Sequence, residues 1–480
     1  MPEASLLEQQ EQSIESRSAE LRKELGLPDL TLTQVLFIVG LPWVGVAAKQ
    51  GPAHVVLWLA AITLFYLPSA AVVIHLNRAM PLEGGLYQWA KLGFNELTGF
   101  LVAWNLWLFA ILNTSEIGLQ LTQYARYIIG PAGEWLTSSA WFVTATNAVV
   151  LTALAIVTVR GFTVGKWLHK AGGALMLATF AMLMLLPWLN VAAGPLREFH
   201  PLQTAVPVMS LMTLNIAAKM GFGALGGFEY VAIHAGECRN PARTIARSVA
   251  FAAPIIAVMF ILGTSSVLAL VPIDRIDLIA PIPQVLSEGF SALGSAAAVA
   301  PITIAVLLCI RVAQASVLFA GNTRLPMVAG WDGLLPAWFT RLHPRYRTPA
   351  NSIAFVGAVT LAFSIAGLVG VGKQEAFQLL WNAAGIFYAL TYLVMFAIPV
   401  VGLRSLRPPT WVVVAAISGF LTTLVYVVLS IVPIVQVESR LVFALKISAI
   451  VIVANAVGWA TYRTGRSRSS SAERAPHSAA

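Results

Sequence analysis

The chain has 480 residues, of which 58% are hydrophobic and only 11% charged, against roughly 25% charged in an average soluble domain, and this excludes an ordinary water-soluble protein. Its mean hydropathy of +0.78 comes from apolar stretches of about twenty residues that recur from Thr31 to Trp459, each long enough to cross a ~30 Å hydrocarbon core, without the short alternating strands of a barrel. The formal charge of +9 comes from basic residues that flank these stretches and form no basic recognition domain, so nucleic-acid binding is excluded.

In chain order, residues 1–28 hold six glutamates and three basic residues around no long apolar core. They read as a solvated N-terminal tail on the cytosolic side, with no cleavable signal peptide. Leu7, Ile14, Leu21 and Leu25 give it a weakly amphipathic character. Apolar runs punctuated by Pro, Gly and charge then predict twelve membrane spans within residues 29–461, roughly 31–50, 54–77, 97–125, 141–159, 168–189, 208–235, 248–271, 294–320, 351–371, 376–401, 411–432 and 441–461. Residues 462–480 follow as a second cytosolic tail. With the N-terminus inside, 21 Lys and Arg fall on the cytosolic side and five on the outer loops. The positive-inside rule therefore puts both termini in the cytosol, in a multi-pass protein of the plasma (inner) membrane.

Catalytic machinery is not visible. Cys238 and Cys309 lack the spacing of a metal site or disulfide framework, and the seven histidines form no H-E-x-x-H pattern. No enzyme, metal or cofactor is expected.

The informative residues lie inside the spans. The first is interrupted at Gly40-Leu-Pro-Trp-Val-Gly45, where Pro42 removes a backbone donor and clashes with the preceding turn. The third carries Asn113, Glu116, Gln120, Gln123 and Tyr127 on one helical stripe that cannot face lipid, read either as interhelical glue or, at Glu116, as a wall of a solute or proton path. The sixth holds Gly221, Gly223, Gly226 and Gly227, with Lys219 before them and Glu229 two residues after. A carboxylate at that depth is costly enough to face a cavity. Lys219 neutralises Glu116 or Glu229, fills a cation site, or snorkels to the outer interface. Arg311 and Gln314 read as a structural pair on the eighth span. Gln378, Asn382, Gly385 and Tyr392 form a thinner polar row on the tenth, read as packing.

Matching interruptions in the first and sixth spans are the mark of an inverted-repeat transporter, whose opened backbone binds solute near the midplane. On this basis Gly40, Pro42, Trp43, Gly45, Gly223, Gly226, Gly227 and Glu116 are candidate substrate-binding residues, and Glu229 and Lys219 candidate proton-coupling residues. Three further segments carry a resemblance: Pro81-Leu-Glu-Gly-Gly-Leu-Tyr-Gln-Trp89 with Gly99 and Trp104; Gly226-Gly-Phe-Glu229 through Glu237-Cys-Arg-Asn-Pro241; and Asn322-Thr-Arg-Leu-Pro326 with Asp332-Gly-Leu-Leu-Pro336 and Thr348-Pro349. In this order they resemble the amino acid–polyamine–organocation superfamily. The resemblance implies an all-α LeuT-type fold, with two inverted five-helix repeats plus two further helices, and a permease for amino acids or related amines that works by alternating access with proton coupling or exchange. It also implies that a glutamate at the place of Glu229 is tied to protonation. Two departures stand out: Pro42 and Trp43 occupy the region of the family's small-residue turn, and Gly173 stands where many sodium-independent members carry a helix-five lysine. Lys166 and Lys170 lie too near the cytosolic end to substitute. The expected partners are a small-molecule substrate, protons and the lipid bilayer. The rival readings are a polyamine or cationic amino acid exchanger, with amine bound directly by Glu116 and Glu229, and a non-transporting nutrient receptor on the same fold.

Overall fold

The computed structural model describes residues 12–278, 280–294, 296–367, 373–402, 408–432 and 439–474. Among the described residues the chain is helical, with no β-strand and one isolated bridge between Leu25 and Cys238. Among the described residues, nine helices are long and apolar enough to cross a membrane, from Gly51–Ala79 to Arg440–Arg468. The spans without such a helix are the first, the sixth and the ninth; the described helix of the ninth is Ala350–Gly367. Large apolar side chains such as Leu185, Val258, Leu421 and Ile452 are exposed on the outer surface, as lipid-facing positions require, because no soluble surface would carry so many. Glu96–Ile129 has 61% of its apolar window buried against 17% for Arg440–Arg468, so the former is central and the latter peripheral.

The first span divides into α1 (Leu27–Ile38) and α2 (Trp43–Ala48). Pro28 sits in the first turn of α1, and the Asp29 carboxylate accepts from the Gly26 amide at 2.8 Å, supplying the negative charge that a helix start favours. α1 stops before Gly40 because Pro42 cannot donate to the next turn. The third span forms α3 (Glu96–Ser115) and α4 (Ile117–Ile129), which meet at Glu116. α5 (Phe162–Ala193) crosses α1 at Gly173, where a Cβ would come within 2.7 Å of the Leu32 carbonyl oxygen. No lysine fits there. Lys170 instead pairs with Asp29 at 2.8 Å and Lys166 with Glu24 at 3.4 Å. The sixth span becomes α6 (Leu211–Ala218), a widened π-turn at Lys219–Gly223 and a tight 3₁₀ run at Phe228–Glu237. After it come α7 (Pro241–Leu270), α8 (Ala296–Asn322), α9 (Lys373–Val401) and α10 (Thr410–Ser430). α1 packs between α5, α7 and α8, while α9 packs on α3 and α10.

The N-terminal arm departs from the expected solvated tail. Leu7 lies outside the described residues, but Ile14, Leu21 and Leu25 are buried. The Glu24 and Leu25 amides donate to the Glu237 carbonyl, both at 3.0 Å, and the Arg239 amide returns a bond to Leu25. Lys23 Nζ reaches the Gly236 carbonyl at 2.5 Å. The physical reason is the turn at residues 236–239, whose backbone groups have no helix to satisfy them and take the arm as a partner.

The three segments that carry the family resemblance converge at this turn. Glu237 accepts from Arg324 Nη2 at 2.9 Å and lies 3.2 Å from His234 Nδ1; Glu83 accepts from the Gly236 amide at 2.6 Å. Gly85 adopts a φ of 46° with its Cα against the Ala232 carbonyl, a close approach that only glycine allows. Burial, followed by the negative charge of Glu237, pushes the Glu83 carboxyl well above the ordinary range. Burial acts in the same direction on Glu237, but Arg324, then His234, outweigh it and hold that carboxyl below the usual value. The two acids are therefore not equivalent: Glu237 is the counter-ion of Arg324, which is 1% exposed, while burial disfavours charge on Glu83. Removing one partner of such a buried pair costs about 3–5 kcal/mol. Glu237→Gln is expected to lower the melting temperature in detergent sharply, whereas Glu83→Gln, which keeps the shape and an acceptor for the Gly236 amide, lowers it far less. Equal melting of the two variants would refute this division of charge.

Candidate functional site

The two broken spans face each other. At the first break the Gly40 amide turns back to the Ile38 carbonyl at 2.8 Å and the Trp43 amide to the Gly40 carbonyl at 3.1 Å. The Trp43 ring folds over Gly40 and reaches Gly223 of the opposite break, where a Cβ would meet the ring at 2.8 Å. Small residues at 40 and 223 are therefore what lets the indole lie between the two spans. At the sixth span the Gly227 amide leaves the helical pattern and donates to Tyr392 Oη at 2.6 Å.

A cavity of about 160 Å³ opens between these breaks, a size that suits a small metabolite better than a drug-sized ligand. Its apolar wall is aromatic: Phe109 stacks on Tyr388 with centroids 4.0 Å apart, and Trp43 lies 6.4 Å from Trp381. Its polar wall holds Asn113, Gln120, Arg311 and Gln314. Gln314 Nε2 donates to the Leu36 and Val39 carbonyls at 2.8 and 2.9 Å, satisfying oxygens released where α1 ends. Its Oε1 accepts from Arg311 Nη1 at 2.7 Å, and Gln120 Oε1 accepts from Arg311 Nη2.

Behind Tyr388 lies Glu229, fully buried and off the cavity surface. Tyr388 Oη donates to Oε1 at 2.5 Å and Tyr392 Oη donates to Oε2. The carboxylate, two phenols and the Gly227 amide thus form one chain, with Tyr388 at the cavity end.

Of the residues singled out by sequence, Gly40, Pro42, Trp43, Gly223 and Gly226 line the cavity. Four of the others sit elsewhere. Gly45 is wedged against Pro281, and Gly227, at φ 142°, packs its Cα against Phe37 and Ile38. Glu116 lies at the α3–α4 junction, off the wall, with Oε2 buried and without a hydrogen-bond partner. Lys219 is buried in the π-turn and does not snorkel; among the described residues its ammonium group has no hydrogen bond or ion pair. The polar stripe bends at Glu116, so Asn113 and Gln120 reach the cavity while Tyr127 donates to Asp277. On the tenth span Gly385 lines the cavity beside Tyr426 and Tyr392 holds Glu229; the Gln378 side chain is outside the described residues. Arg311 and Gln314, read from sequence as a structural pair on the eighth span, are wall residues, and Tyr388 and Tyr392 were not linked to Glu229. Their i, i+4 spacing on a span with a polar row was the available signal. Glu83, His234 and Glu237 bring three ligand atoms within 4.8 Å of one another, but Arg324 already donates to Glu237, so this cluster is an ion network closed on itself.

Broken membrane spans around a polar and aromatic cavity define a solute transporter, not an enzyme. The chain belongs to the amino acid permease family, whose model matches residues 26–454, within the amino acid–polyamine–organocation superfamily. It is 23% identical to an uncharacterised transporter of Legionella pneumophila over 81% of this chain and 82% of that one. It is 24% identical to the branched-chain amino acid permease BcaP of Bacillus subtilis over 75% and 80% of the two chains. A methylthioribose transporter of the same organism is 23% identical over 75% and 78%.

The glycines of the sixth span separate by role. Alanine at Gly227 forces a strained φ and a collision with Phe37, at a cost on the order of 1–3 kcal/mol, whereas at Gly226 the nearest atom to a Cβ is the Phe222 carbonyl at 3.0 Å. Thermal unfolding in detergent is expected to fall clearly for Gly227→Ala and far less for Gly226→Ala. The reverse order would contradict these placements.

Proposed function

We propose that the protein is a proton-coupled amino acid transporter of the plasma membrane, with both termini cytosolic and twelve spans in the LeuT-type arrangement of two inverted five-helix repeats. Solute binds in the cavity between the first and sixth spans, and the spans that form it rock against the rest in alternating access. The observation that carries the coupling is the Glu229–Tyr388–Tyr392 chain, which ends at the cavity wall. An ionised Glu229 accepts a hydrogen bond from each phenol. Once Glu229 binds a proton, one oxygen becomes a donor, and the tyrosine bonded to it must turn its own hydroxyl elsewhere. For Tyr388 the free direction is the cavity, so protonation creates a donor facing the solute. Proton and solute binding are thereby linked through one hydroxyl.

The aromatic wall favours an apolar side chain, in keeping with the branched-chain substrate named for the Bacillus relative. Direct binding of a polyamine by Glu116 and Glu229 is disfavoured, because both acids lie off the wall and the charge facing the cavity is the Arg311 cation.

Initial uptake into proteoliposomes without sodium, with and without an inward pH step, tests the coupling. Glu229→Gln, which keeps the shape but never ionises, is expected to bind substrate and lose stimulation by the proton gradient, while Glu116→Gln keeps it. Full stimulation in Glu229→Gln would remove this residue from coupling, and sodium dependence of the parent would overturn the proton premise.

A further inference from the structure

Among the described residues Arg311 has no counter-ion in contact. Its two terminal nitrogens are held by the neutral amides of Gln314 and Gln120, and its Nε is buried without a hydrogen-bond partner. Glu116 lies within reach of its field, yet among the described residues no ion pair joins the two within 4.0 Å, and it is Arg311, not Glu116, that lines the cavity. A guanidinium withdrawn from water and paired only with amides is costly. The end of α1 offsets part of that charge, since a helix C-terminus carries about half a negative charge, and Gln314 ties Arg311 to it through Leu36 and Val39. The remainder faces the cavity.

The first break, by contrast, has few donors left for an anion. Pro42 has none, and the Gly40 and Trp43 amides are spent on Ile38 and Gly40. We propose that Arg311 takes the carboxylate of the transported solute, with Gln120 yielding its place on Nη2 as the carboxylate arrives. The guanidinium fork matches a carboxylate with two parallel bonds, and Gln314 keeps the fork aimed because its own amide is anchored on both α1 carbonyls. The aromatic wall then receives the remainder of the solute. This assignment rests on the transporter reading and narrows it: the substrate bears at least one carboxylate, and amines without one are excluded.

The test is isothermal titration of the purified full-length protein with the twenty amino acids, their α-carboxamides, the matching decarboxylated amines and the matching acids that lack the amino group. Carboxylate-bearing ligands are expected to bind at least ten-fold more tightly than their carboxamides or amines in the parent protein, a comparison that needs no variant. Arg311→Gln is expected to erase that difference, and Arg311→Lys to restore part of it. If α-amidation abolishes binding, the α-carboxylate is the partner; if only glutamate and aspartate bind and survive α-amidation, it is the side-chain carboxylate. Carboxamides or amines binding as well as acids, an unchanged preference in Arg311→Gln, or no carboxylate binding at all would overturn the proposal. Tight binding of acids without an amino group, with no preference for amino acids, would instead overturn the amino acid reading and leave Arg311 in its role. Arg311-dependent binding without uptake would remove only the transport reading.

Discussion

A helix interrupted inside hydrocarbon must find partners for the backbone groups it releases, and much of this molecule is organised around that requirement. At the first break the partner is one amide, Gln314, which reaches two carbonyls of the first span from α8. At the sixth it is one phenol, Tyr392, which takes the Gly227 amide from α9. Both partners belong to helices that would otherwise have no reason to approach the breaks with polar groups. Each also has a second bond: Gln314 holds Arg311, and Tyr392 holds Glu229. The charges of the central region are thus positioned by the same side chains that make the broken backbone tolerable.

A second tier lies at the turn after the sixth span. Glu83, Glu237 and Arg324 arrive from three distant segments and meet in one buried network, with the N-terminal arm laid over the turn by backbone hydrogen bonds. Since the sixth span ends in this network, its stability bears directly on how freely that span can move. The arm and the network are coupled through this one turn, because both hold the residues from Gly236 to Arg239.

Much of the helical architecture was legible because membrane spans announce themselves by length and apolarity, and glycine and proline mark where they fail. The breaks at Gly40–Gly45 and Gly221–Gly227 were readable for that reason. What sequence did not disclose was direction. Gly45 and Gly227 belong to the same interruptions as Gly40 and Gly226 but pack against Pro281 and against Phe37 and Ile38, and do not themselves line the cavity. Glu116 shares a stripe with Gln120, yet the bend at its own position turns it off the wall. Arg311 and Gln314 were visible as a pair, but only packing of α8 against α1 makes them part of the cavity. The arm looked soluble from its six glutamates, and its three buried aliphatic residues outweighed them once the turn at Glu237 offered a surface.

The Trp43 indole occupies a notch whose two sides are Gly40 and Gly223, one from each broken span. These three positions therefore form a single steric unit in evolution. A lineage that enlarges either glycine has to shrink the residue at 43 in compensation, and one that loses the tryptophan releases both glycines to drift. Within the family, the identity of this trio should vary as a set, dividing relatives into those that fill the gap between the two broken spans from the first span and those that fill it from the sixth.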